Sequence, residues 1–457
     1  MSKQRRDALK RQMSDQYDMP PGSHRFPLIN TWRFMSSGRG IIRKAHAKHG
    51  DTFSGRIMPG PRTLVVFSDP ADIKEIFAAD PSQFHAGEGN AILKPVMGDH
   101  SVLLTDDAEH QRARKLLMPA FTGPAMRSYR PLVEGLAKEA VQGWRDGQRL
   151  VTLDAMTTIT LEVILQVVFG VTDEERLAVL RPKVTRIVDI DATVLMAWIF
   201  PKLGAVPPWR GFFQNLREVD ELLYAEIRER REATDLDVRD DVLSRLLRVG
   251  DEGEPGKGAS ARAADEQSSL SDAELRDQLV TLLLAGHETT ASALSWTLHE
   301  LGRNPDVLAK ALHAADVGDE NYLEACFKEA MRLHPIIDFV ARTLKSDQVV
   351  GGRRLPRGTT VTPSIMLAHS REESFADAHE FRPERFLDAN PSPGTWIPFG
   401  GGVRRCIGAA FSLMEGTVVL REVLQRFTVH AEEPSRIRLR NITNVPRDKA
   451  PLVLRSR

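Results

Sequence analysis

Residues 399–408 read Phe-Gly-Gly-Gly-Val-Arg-Arg-Cys-Ile-Gly, a glycine-rich loop that holds one of only two cysteines in the 457-residue chain. The composition of Ala409–Glu415 predicts that a helix follows directly. Backbone N–H groups and the positive end of a helix lower the pKa of a thiol and so stabilise the thiolate that binds metals. Glycines let the backbone approach the sulfur, and arginines neutralise anionic groups. The loop therefore predicts that Cys406 is a metal ligand.

A lone cysteine limits the kind of metal site. Iron–sulfur clusters and structural zinc sites are held by several ligating side chains, mostly clustered cysteines. Thiolate ligation of a haem iron needs only one. The alternative from these residues alone is a structural cysteine buried beside a glycine turn, because cysteine is among the most buried residue types.

The loop resembles the haem-binding signature of the cytochrome P450 monooxygenases. The chain matches the fixed positions of that signature with Phe399, Gly402, Arg404, Cys406 and Gly408. The resemblance covers about residues 20–454 and implies that Cys406 is the axial ligand of a haem b iron. It also implies a mainly α fold with a minor β-sheet region, shaped like a triangular prism. In that fold the haem lies between a long central helix and the cysteine loop.

Composition constrains location and partners. Lysine plus arginine and aspartate plus glutamate number 62 each, which argues against a global nucleic-acid or membrane-binding charge. Two cysteines form no disulfide framework, so we expect a reducing compartment. The charged N-terminus lacks the apolar core of a signal peptide, and no run of about 18 apolar residues occurs. We predict a soluble, cytoplasmic, monomeric protein of bacterial origin, without a membrane span.

No composition break divides the chain. We predict a flexible tail at 1–19 and a single haem-thiolate monooxygenase domain at 20–457. A stretch at about 250–269 is rich in glycine, alanine, serine and charged residues, which predicts a flexible surface insertion.

Local patterns predict a mostly helical chain with little strand. Residues 51–67 predict a β-hairpin with a Pro-Gly-Pro turn, and 349–362 predict strand and turn. We expect loops at 87–100 and 201–209, and irregular structure at 371–398.

A long helix is predicted from about Asp272 to Leu301. Ser271 and Glu274 have the spacing of a capping box at its start. Gly302 and Pro305 are the expected stop signals.

The apolar run of this helix is followed by the motif Ala285-Gly286-His287-Glu288-Thr289, whose last three residues are polar. A threonine hydroxyl can bond back to the preceding turn and open the helix locally, and Gly286 leaves room for a flat ligand. The motif resembles the acid–alcohol pair of the family, which implies that Thr289 hydrogen-bonds the bound oxygen and Glu288 feeds protons through water. Ala285 and Gly286 are then cofactor-binding residues, and His287 is neither ligand nor base. The alternative is a polar helix face exposed to solvent.

Glu329 and Arg332 are three residues apart, on one face of a predicted helix. Such a pair means little alone. Together with Arg385 it resembles the charge network that holds the cysteine loop in this family, so we assign the three a structural role.

Haem propionates need cations nearby. The resemblance places this role on His110, Arg114, Arg342 and Arg404; the alternative for each is a solvated surface side chain. Arg112, Lys115 and Arg405 are candidates for a basic patch on the proximal face. There a ferredoxin or flavodoxin-type donor would dock, delivering electrons from NAD(P)H.

The resemblance also implies which segments face the substrate. They are rich in apolar residues, which favours a lipophilic small molecule such as a fatty acid, terpenoid, steroid or polyketide. About half of their apolar residues are expected to be ordinary core. Glu88 and Asp338 are the only acids in them, which argues weakly against a carboxylate near those positions. The segments are 86–93, 194–200, 283–285, 336–340 and 443–445.

The sequence thus predicts a haem-thiolate monooxygenase that uses O2 and two electrons to insert one oxygen atom into a lipophilic molecule. Two other classes stay open. A peroxide-driven peroxygenase or haem isomerase would be expected to lose Glu288 and Thr289. A non-catalytic haem sensor would have no use for that pair and would be expected to carry an output domain.

Overall fold

The computed structural model describes residues 17–23, 26–58, 62–188, 206–207, 209–248, 269–387, 391–440 and 442–457. Several predicted features lie outside these residues, wholly or almost wholly. They are most of the N-terminal tail, the hairpin turn, the substrate-facing segment at 194–200, the loop from 201 and the insertion at 250–268.

Helices predominate, as predicted. In chain order they are α1 (Pro27–Ser37), α2 (Arg39–His49), α3 (Pro70–Ala78), α4 (Gly87–Asn90), α5 (Lys94–Met97), α6 (Asp107–Leu117), α7 (Gly123–Gln142), α8 (Thr152–Val163), α9 (Glu174–Val188), α10 (Trp209–Glu232), α11 (Val242–Arg248), α12 (Asp272–Arg303), α13 (Pro305–Val317), α14 (Glu320–Leu333), α15 (Ile365–His369) and α16 (Ala409–Leu424). Short 3-10 turns occur at Ala91–Leu93, Met118–Phe121, Leu236–Val238, Pro383–Phe386 and Gly402–Arg404, and a π turn at Ile164–Val168.

The strands are short. They are β1 (Gly22–Ser23), β2 (Thr52–Ile57), β3 (Arg62–Phe67), β4 (Phe84–His85), β5 (Arg149–Val151), β6 (Arg342–Leu344), β7 (Gln348–Val350), β8 (Arg353–Leu355), β9 (Thr360–Pro363), β10 (Phe427–His430), β11 (Ile437–Arg440), β12 (Thr443–Pro446) and β13 (Pro451–Ser456).

The chain forms two compact units. The first combines the residues up to Gly89 with Ile337–Glu380 and Pro391–Cys406. The second combines Asn90–Ile336 with Phe381–Asn390 and Ile407–Arg457.

A six-stranded sheet organises the first unit, in the order β1-β2-β3-β9-β6-β4. β2 and β3 form the predicted antiparallel hairpin, and β3 runs parallel to β9. Val65, Phe67 and Val361 are buried in one core with Phe84 and Leu344. Tyr17 and Asp18, which the sequence analysis places in the tail, are bonded to the segment around the β7–β8 hairpin.

The long helix α12 organises the second unit. It packs against α8, α14, α16, β10 and β12, so it is buried along most of its length. The predicted capping box is present: the Ser271 hydroxyl accepts from the Glu274 N–H, and the Glu274 carboxylate accepts from the Ser271 N–H at 2.8 Å. Its buried Ser292, Ser295 and Thr297 each donate to the carbonyl four residues earlier at 2.7 Å, which satisfies their hydroxyls.

The structure corrects two local predictions. Gly302 does not stop α12, which continues to Arg303; it is the point where the backbone of Ala431 approaches, since a Cβ there would lie 2.8 Å from the Ala431 nitrogen. The predicted loop at 87–100 instead contains two short helices and a 3-10 turn. Glycine and proline in that stretch keep each helix to about one turn. A sequence pattern does not distinguish such short helices from a loop.

Candidate active site

The cysteine loop closes on itself within the first unit. The Cys406 N–H donates to the Phe399 carbonyl at 2.9 Å, and the Arg405 guanidinium lies 6.0 Å from the centroid of the Phe399 ring. The 3-10 turn at Gly402–Arg404 lies between these residues. Cys406 is exposed, and Gly408 is the N-cap residue of α16, three residues before Phe411 of that helix.

The end of α3 explains why this loop needs glycines. A Cβ on Gly401 would lie 2.2 Å from Cδ2 of Phe77, and one on Gly402 would lie 2.1 Å from the Phe77 carbonyl oxygen. Gly402 also has φ +64°, a conformation that side chains other than glycine rarely adopt. Sequence reasoning assigned the glycines to the sulfur and missed Phe77, because nothing in the sequence links two segments so far apart.

Two of the predicted propionate-binding cations lie together in the first unit. Arg342 and Arg404 line one small cavity with Ile76, Phe77 and Gly401. Arg342 is buried at the start of β6, and its Nη1 donates to the Ala341 carbonyl at 2.8 Å. The two guanidinium side chains therefore lie close together in this unit.

The second cysteine differs from Cys406 in its surroundings. Cys326 is fully buried on α14, and burial raises the pKa of its thiol well above the usual range. A buried neutral thiol is a poor metal ligand, since the thiolate is the ligating form. Cys406 is therefore the accessible thiol of this chain.

The middle of α12 contains the motif at 285–289. The Thr289 hydroxyl donates to the Ala285 carbonyl at 2.7 Å, which confirms the predicted bond to the preceding turn. Leu284, Ala285, Gly286 and Thr289 are partly or fully exposed, whereas the residues on either side are buried. One face of this turn is thus accessible within an otherwise buried helix.

Gly286 also has a packing role, and its predicted contact with a flat ligand stays a prediction. Its ideal Cβ would lie 2.8 Å from Cδ1 of Ile164, so the missing side chain makes room for packing against the π turn after α8. The Thr160 hydroxyl donates to the His287 carbonyl at 3.0 Å and so joins α8 to α12 at the same level.

The side chains of His287 and Glu288 are buried, which excludes the alternative of a solvent-exposed polar face for them. Glu288 forms an ion pair with Arg440 of β11, whose Nε lies 3.5 Å from Oε1. Burial, with a smaller contribution from the charge of Arg440, lowers the pKa of His287 to about 4. His287 is therefore neutral at pH 7 and a weak base, whereas its predicted exclusion from metal binding stays a prediction.

The predicted charge triad is assembled in the second unit. Glu329 is fully buried and accepts from Arg332 at both oxygens, at 2.7 Å and 2.8 Å. Its Oε1 also accepts from Arg385 Nε at 3.2 Å and from the Arg382 N–H at 2.9 Å. Four donors therefore hold one buried carboxylate.

The remaining predicted cations lie on α6. His110 is buried and Arg114 is partly exposed one turn later. Arg112 is not a bare surface cation: its guanidinium pairs with Glu274 and donates to the Ser269 carbonyl at 2.6 Å. This ion pair weakens its assignment to a docking patch, whereas Lys115 and Arg405 are exposed in their respective units.

The acids in the segments predicted to face the substrate are both paired. Glu88 binds Lys345, and Asp338 accepts from Arg39, whose Nη2 lies 2.6 Å from Oδ1. Each carboxylate is neutralised by its own cation, so the argument from these acids against a carboxylate substrate no longer holds.

Part of the predicted lining is ordinary core, as expected. Leu93, Ile336 and Val445 are buried, and Ile337 and Val340 pack on a cluster around Ile73.

The family model for cytochrome P450 matches residues 20–452. A Mycobacterium tuberculosis relative, provisionally named cytochrome P450 135A1, is 48% identical over 439 residues, 95% of each chain. Another, provisionally named cytochrome P450 135B1 in Mycobacterium bovis, is 38% identical over 96% of this chain and 92% of its own. The chain therefore belongs to the cytochrome P450 family.

Solved structures confirm the fold. The retinoic acid-bound cyanobacterial CYP120A1 superposes with a TM-score of 0.80 at 22% identity, over 96% of this chain and 100% of the other. The haem domain of cytochrome P450DA gives 0.79 at 25% identity, over 96% and 98%. Among the described residues, no helix combines the length and apolarity needed to cross a bilayer.

The contact between Gly402 and Phe77 predicts a stability effect. We expect Gly402→Ala to lower the free energy of unfolding by about 1–3 kcal/mol beyond the cost of its positive φ, because the new Cβ meets backbone. Gly400→Ala is the matched control: its φ is +66°, but the nearest atom to its Cβ is Val340 Cγ1 at 3.8 Å. Its cost should be the backbone strain alone, about 1–2 kcal/mol. Urea unfolding of the full-length variants measures both, and equal losses would contradict the steric explanation.

Proposed function

We propose that the protein is a haem-thiolate monooxygenase that inserts one oxygen atom from O2 into a lipophilic small molecule. The observation that carries the proposal is Cys406, an exposed thiol at the fixed position of the signature loop, in a chain that belongs to the cytochrome P450 family. Family membership supports a haem cofactor and monooxygenase chemistry in general. The individual residue roles, the substrate class and the electron donor are the proposal.

The residues present fit a haem. The donor set is a single accessible thiol with basic groups nearby in its unit, which suits one axial bond and two propionates rather than a multi-cysteine cluster. The turn at 284–289 exposes small and apolar groups, which suit a flat macrocycle. Cys406 would be the iron ligand, and His110, Arg114, Arg342 and Arg404 would bind the propionates. When bound, the haem supplies the electron-transfer and oxygen chemistry.

The chain's own contribution to that chemistry is positional. The Thr289 hydroxyl donates a hydrogen bond to the Ala285 carbonyl. Its oxygen is therefore oriented to accept a hydrogen bond from a water or from the reacting group. Arg440 pairs with Glu288 in this turn, and the Glu288 carboxylate is the group of the motif to which we assign proton exchange with water. His287, neutral at pH 7, is left out of this proton path.

We further propose that electrons come from NAD(P)H through a ferredoxin or flavodoxin-type protein. Lys115 and Arg405 are the exposed cations that remain for this role, because Arg112 is paired. The proposal would be withdrawn if Lys115→Glu and Arg405→Glu left the reduction rate unchanged with acidic donors of both types.

A substrate titration tests the lipophilic class. Purified holoprotein would be titrated with saturated fatty acids, neutral terpenes and steroids while the haem spin state is followed optically. A saturable low-to-high-spin shift with one class would identify it, because entry of that ligand displaces water from the iron. The titration includes both fatty acids and neutral ligands. Glu88 and Asp338 are each paired with a cation, so they do not disfavour the binding of a carboxylate. No shift with any of them would remove support for a lipophilic substrate.

Removing the Thr289 hydroxyl should uncouple the reaction. We expect Thr289→Ala to lower product formed per NAD(P)H by at least about tenfold and to raise peroxide release, because a positioned proton relay contributes factors of this order. Thr289→Ser should retain most of the coupling. Thr297→Ala is the matched control, since Thr297 makes the same bond to the preceding turn while fully buried on the same helix. Unchanged coupling in Thr289→Ala would exclude the proposed role of the Thr289 hydroxyl.

A further inference from the structure

Helix α1 binds the first unit through its polar side chains. The Asn30 amide donates to the Arg56 carbonyl at 3.0 Å and accepts from the Ser23 hydroxyl at 2.8 Å. The Thr31 hydroxyl accepts from the Met58 N–H at 2.9 Å. The polar groups of this helix therefore face β2 and its end.

Four large apolar side chains at the start of this helix are exposed. The exposed fractions are 64% for Phe26, 55% for Leu28, 45% for Ile29 and 69% for Trp32. Leu28 and Trp32 are four residues apart and share one face of the helix. A surface helix of a globular protein normally buries its apolar stripe, whereas these four side chains are exposed. A contiguous exposed apolar patch of this kind marks an interaction site.

The charged residues within the sequence of these two helices have one sign. Between Phe26 and Gly50 the sequence contains no aspartate or glutamate, although the chain as a whole has a net charge of zero. The same stretch contains Arg33, Arg39, Arg43, Lys44 and Lys48. Arg39 is paired with Asp338, whereas Arg43, Lys44 and Lys48 are exposed on α2. Helix α2 packs through Ile42 and Ala45 and so exposes its cationic side in the ordinary way.

We propose that α1 and α2 form a docking surface for an anionic lipid bilayer. Tryptophan, phenylalanine and aliphatic side chains flanked by lysine and arginine are the composition of a helix that lies in the headgroup region of a membrane. Each exposed cation near an anionic surface adds to the attraction. The sign of the charge decides the occupant: two copies of this surface would repel each other, whereas anionic lipid supplies apolar chains and negative phosphate together. The proposal is independent of the monooxygenase assignment.

Vesicle binding of the full-length holoprotein tests it. We expect the protein to co-sediment with vesicles of phosphatidylcholine containing about one third phosphatidylglycerol, and much less with phosphatidylcholine alone. The double variant Leu28→Ser/Trp32→Ser should bind at least about tenfold more weakly, because both side chains lose their buried area in the bilayer. The triple variant Arg43→Gln/Lys44→Gln/Lys48→Gln should lose the preference for anionic vesicles. Raising the ionic strength from about 0.05 M to about 0.5 M should release the wild type.

The control variant removes exposed apolar side chains that lie outside α1 and α2. Val238 and Val349 are 79% and 60% exposed, and Val238→Ser/Val349→Ser should bind vesicles like the wild type. Equal binding by the Leu28→Ser/Trp32→Ser variant would overturn the proposal, as would equal binding to both lipid compositions. Sedimentation without lipid tests the other occupant. A concentration-dependent dimer that the Leu28→Ser/Trp32→Ser variant abolishes would assign the patch to a second copy and overturn the lipid surface.

Discussion

Cys406→Ser should abolish the thiolate signature of the haem and with it the oxygenation reaction. A serine hydroxyl has no stable anion at neutral pH and would not donate electron density to a haem iron as a thiolate would. We expect the reduced, CO-bound protein to lose the red-shifted absorption band that thiolate ligation gives. Product formation should fall by more than about 100-fold.

The fold should survive this substitution, because the Cys406 side chain is exposed and the loop is closed by its backbone bond to Phe399. The variant's far-ultraviolet circular dichroism should therefore match that of the wild type. The matched control is Cys326→Ala, which removes the other cysteine from a buried site. It should cost about 1–2 kcal/mol of unfolding free energy and leave the CO spectrum unchanged. A Cys406→Ser protein with an intact thiolate spectrum would exclude Cys406 as the ligand.

The parts of the structure that the sequence predicted are those that depend on local pattern. The capping box at Ser271 and Glu274 and the bond from Thr289 to Ala285 involve residues three or four apart, and both are present. The β2–β3 hairpin follows from alternation and a turn, and it is also present. Such features are set by backbone geometry that a short window of sequence contains.

The parts that it missed depend on contacts between distant residues. The ion pair between Glu288 and Arg440 joins positions 152 residues apart, and no periodicity points to it. The reason for the glycines at 401–402 is Phe77, a residue on a different helix. Glycine commonly ends a helix, but at position 302 it is needed because the backbone of Ala431 approaches closely. Each of these three features is set by a tertiary contact that local propensity does not contain.

The charge triad of Glu329, Arg332 and Arg385 could be predicted only in part from the sequence. The spacing of Glu329 and Arg332 is visible in the sequence, but only the structure shows that the carboxylate is fully buried and bound by four donors. Burial raises the free energy of unfolding that is lost when one member of the pair is removed. Exposed ion pairs contribute about 0–1 kcal/mol, whereas removing one member of a buried pair leaves an uncompensated charge.

Glu329→Gln should therefore destabilise the protein by about 3–5 kcal/mol. The amide keeps the shape of the side chain but cannot neutralise Arg332, whose side chain is only 1% exposed, and it offers one acceptor oxygen in place of two. The matched control is Glu320→Gln on the same helix. Glu320 pairs with Arg130 and Arg421 but is 34% exposed, so its loss should cost less than about 1 kcal/mol.

Urea unfolding of the two variants and the wild type measures this difference directly. Arg332→Met in the Glu329→Gln background should recover part of the loss, because it removes the charge left without its carboxylate. This recovery separates the electrostatic explanation from a packing defect, since a second substitution in a packing defect would add a further loss. If Glu329→Gln cost no more than Glu320→Gln, the triad would not be the stabilising centre of α14 and the segment around Arg385.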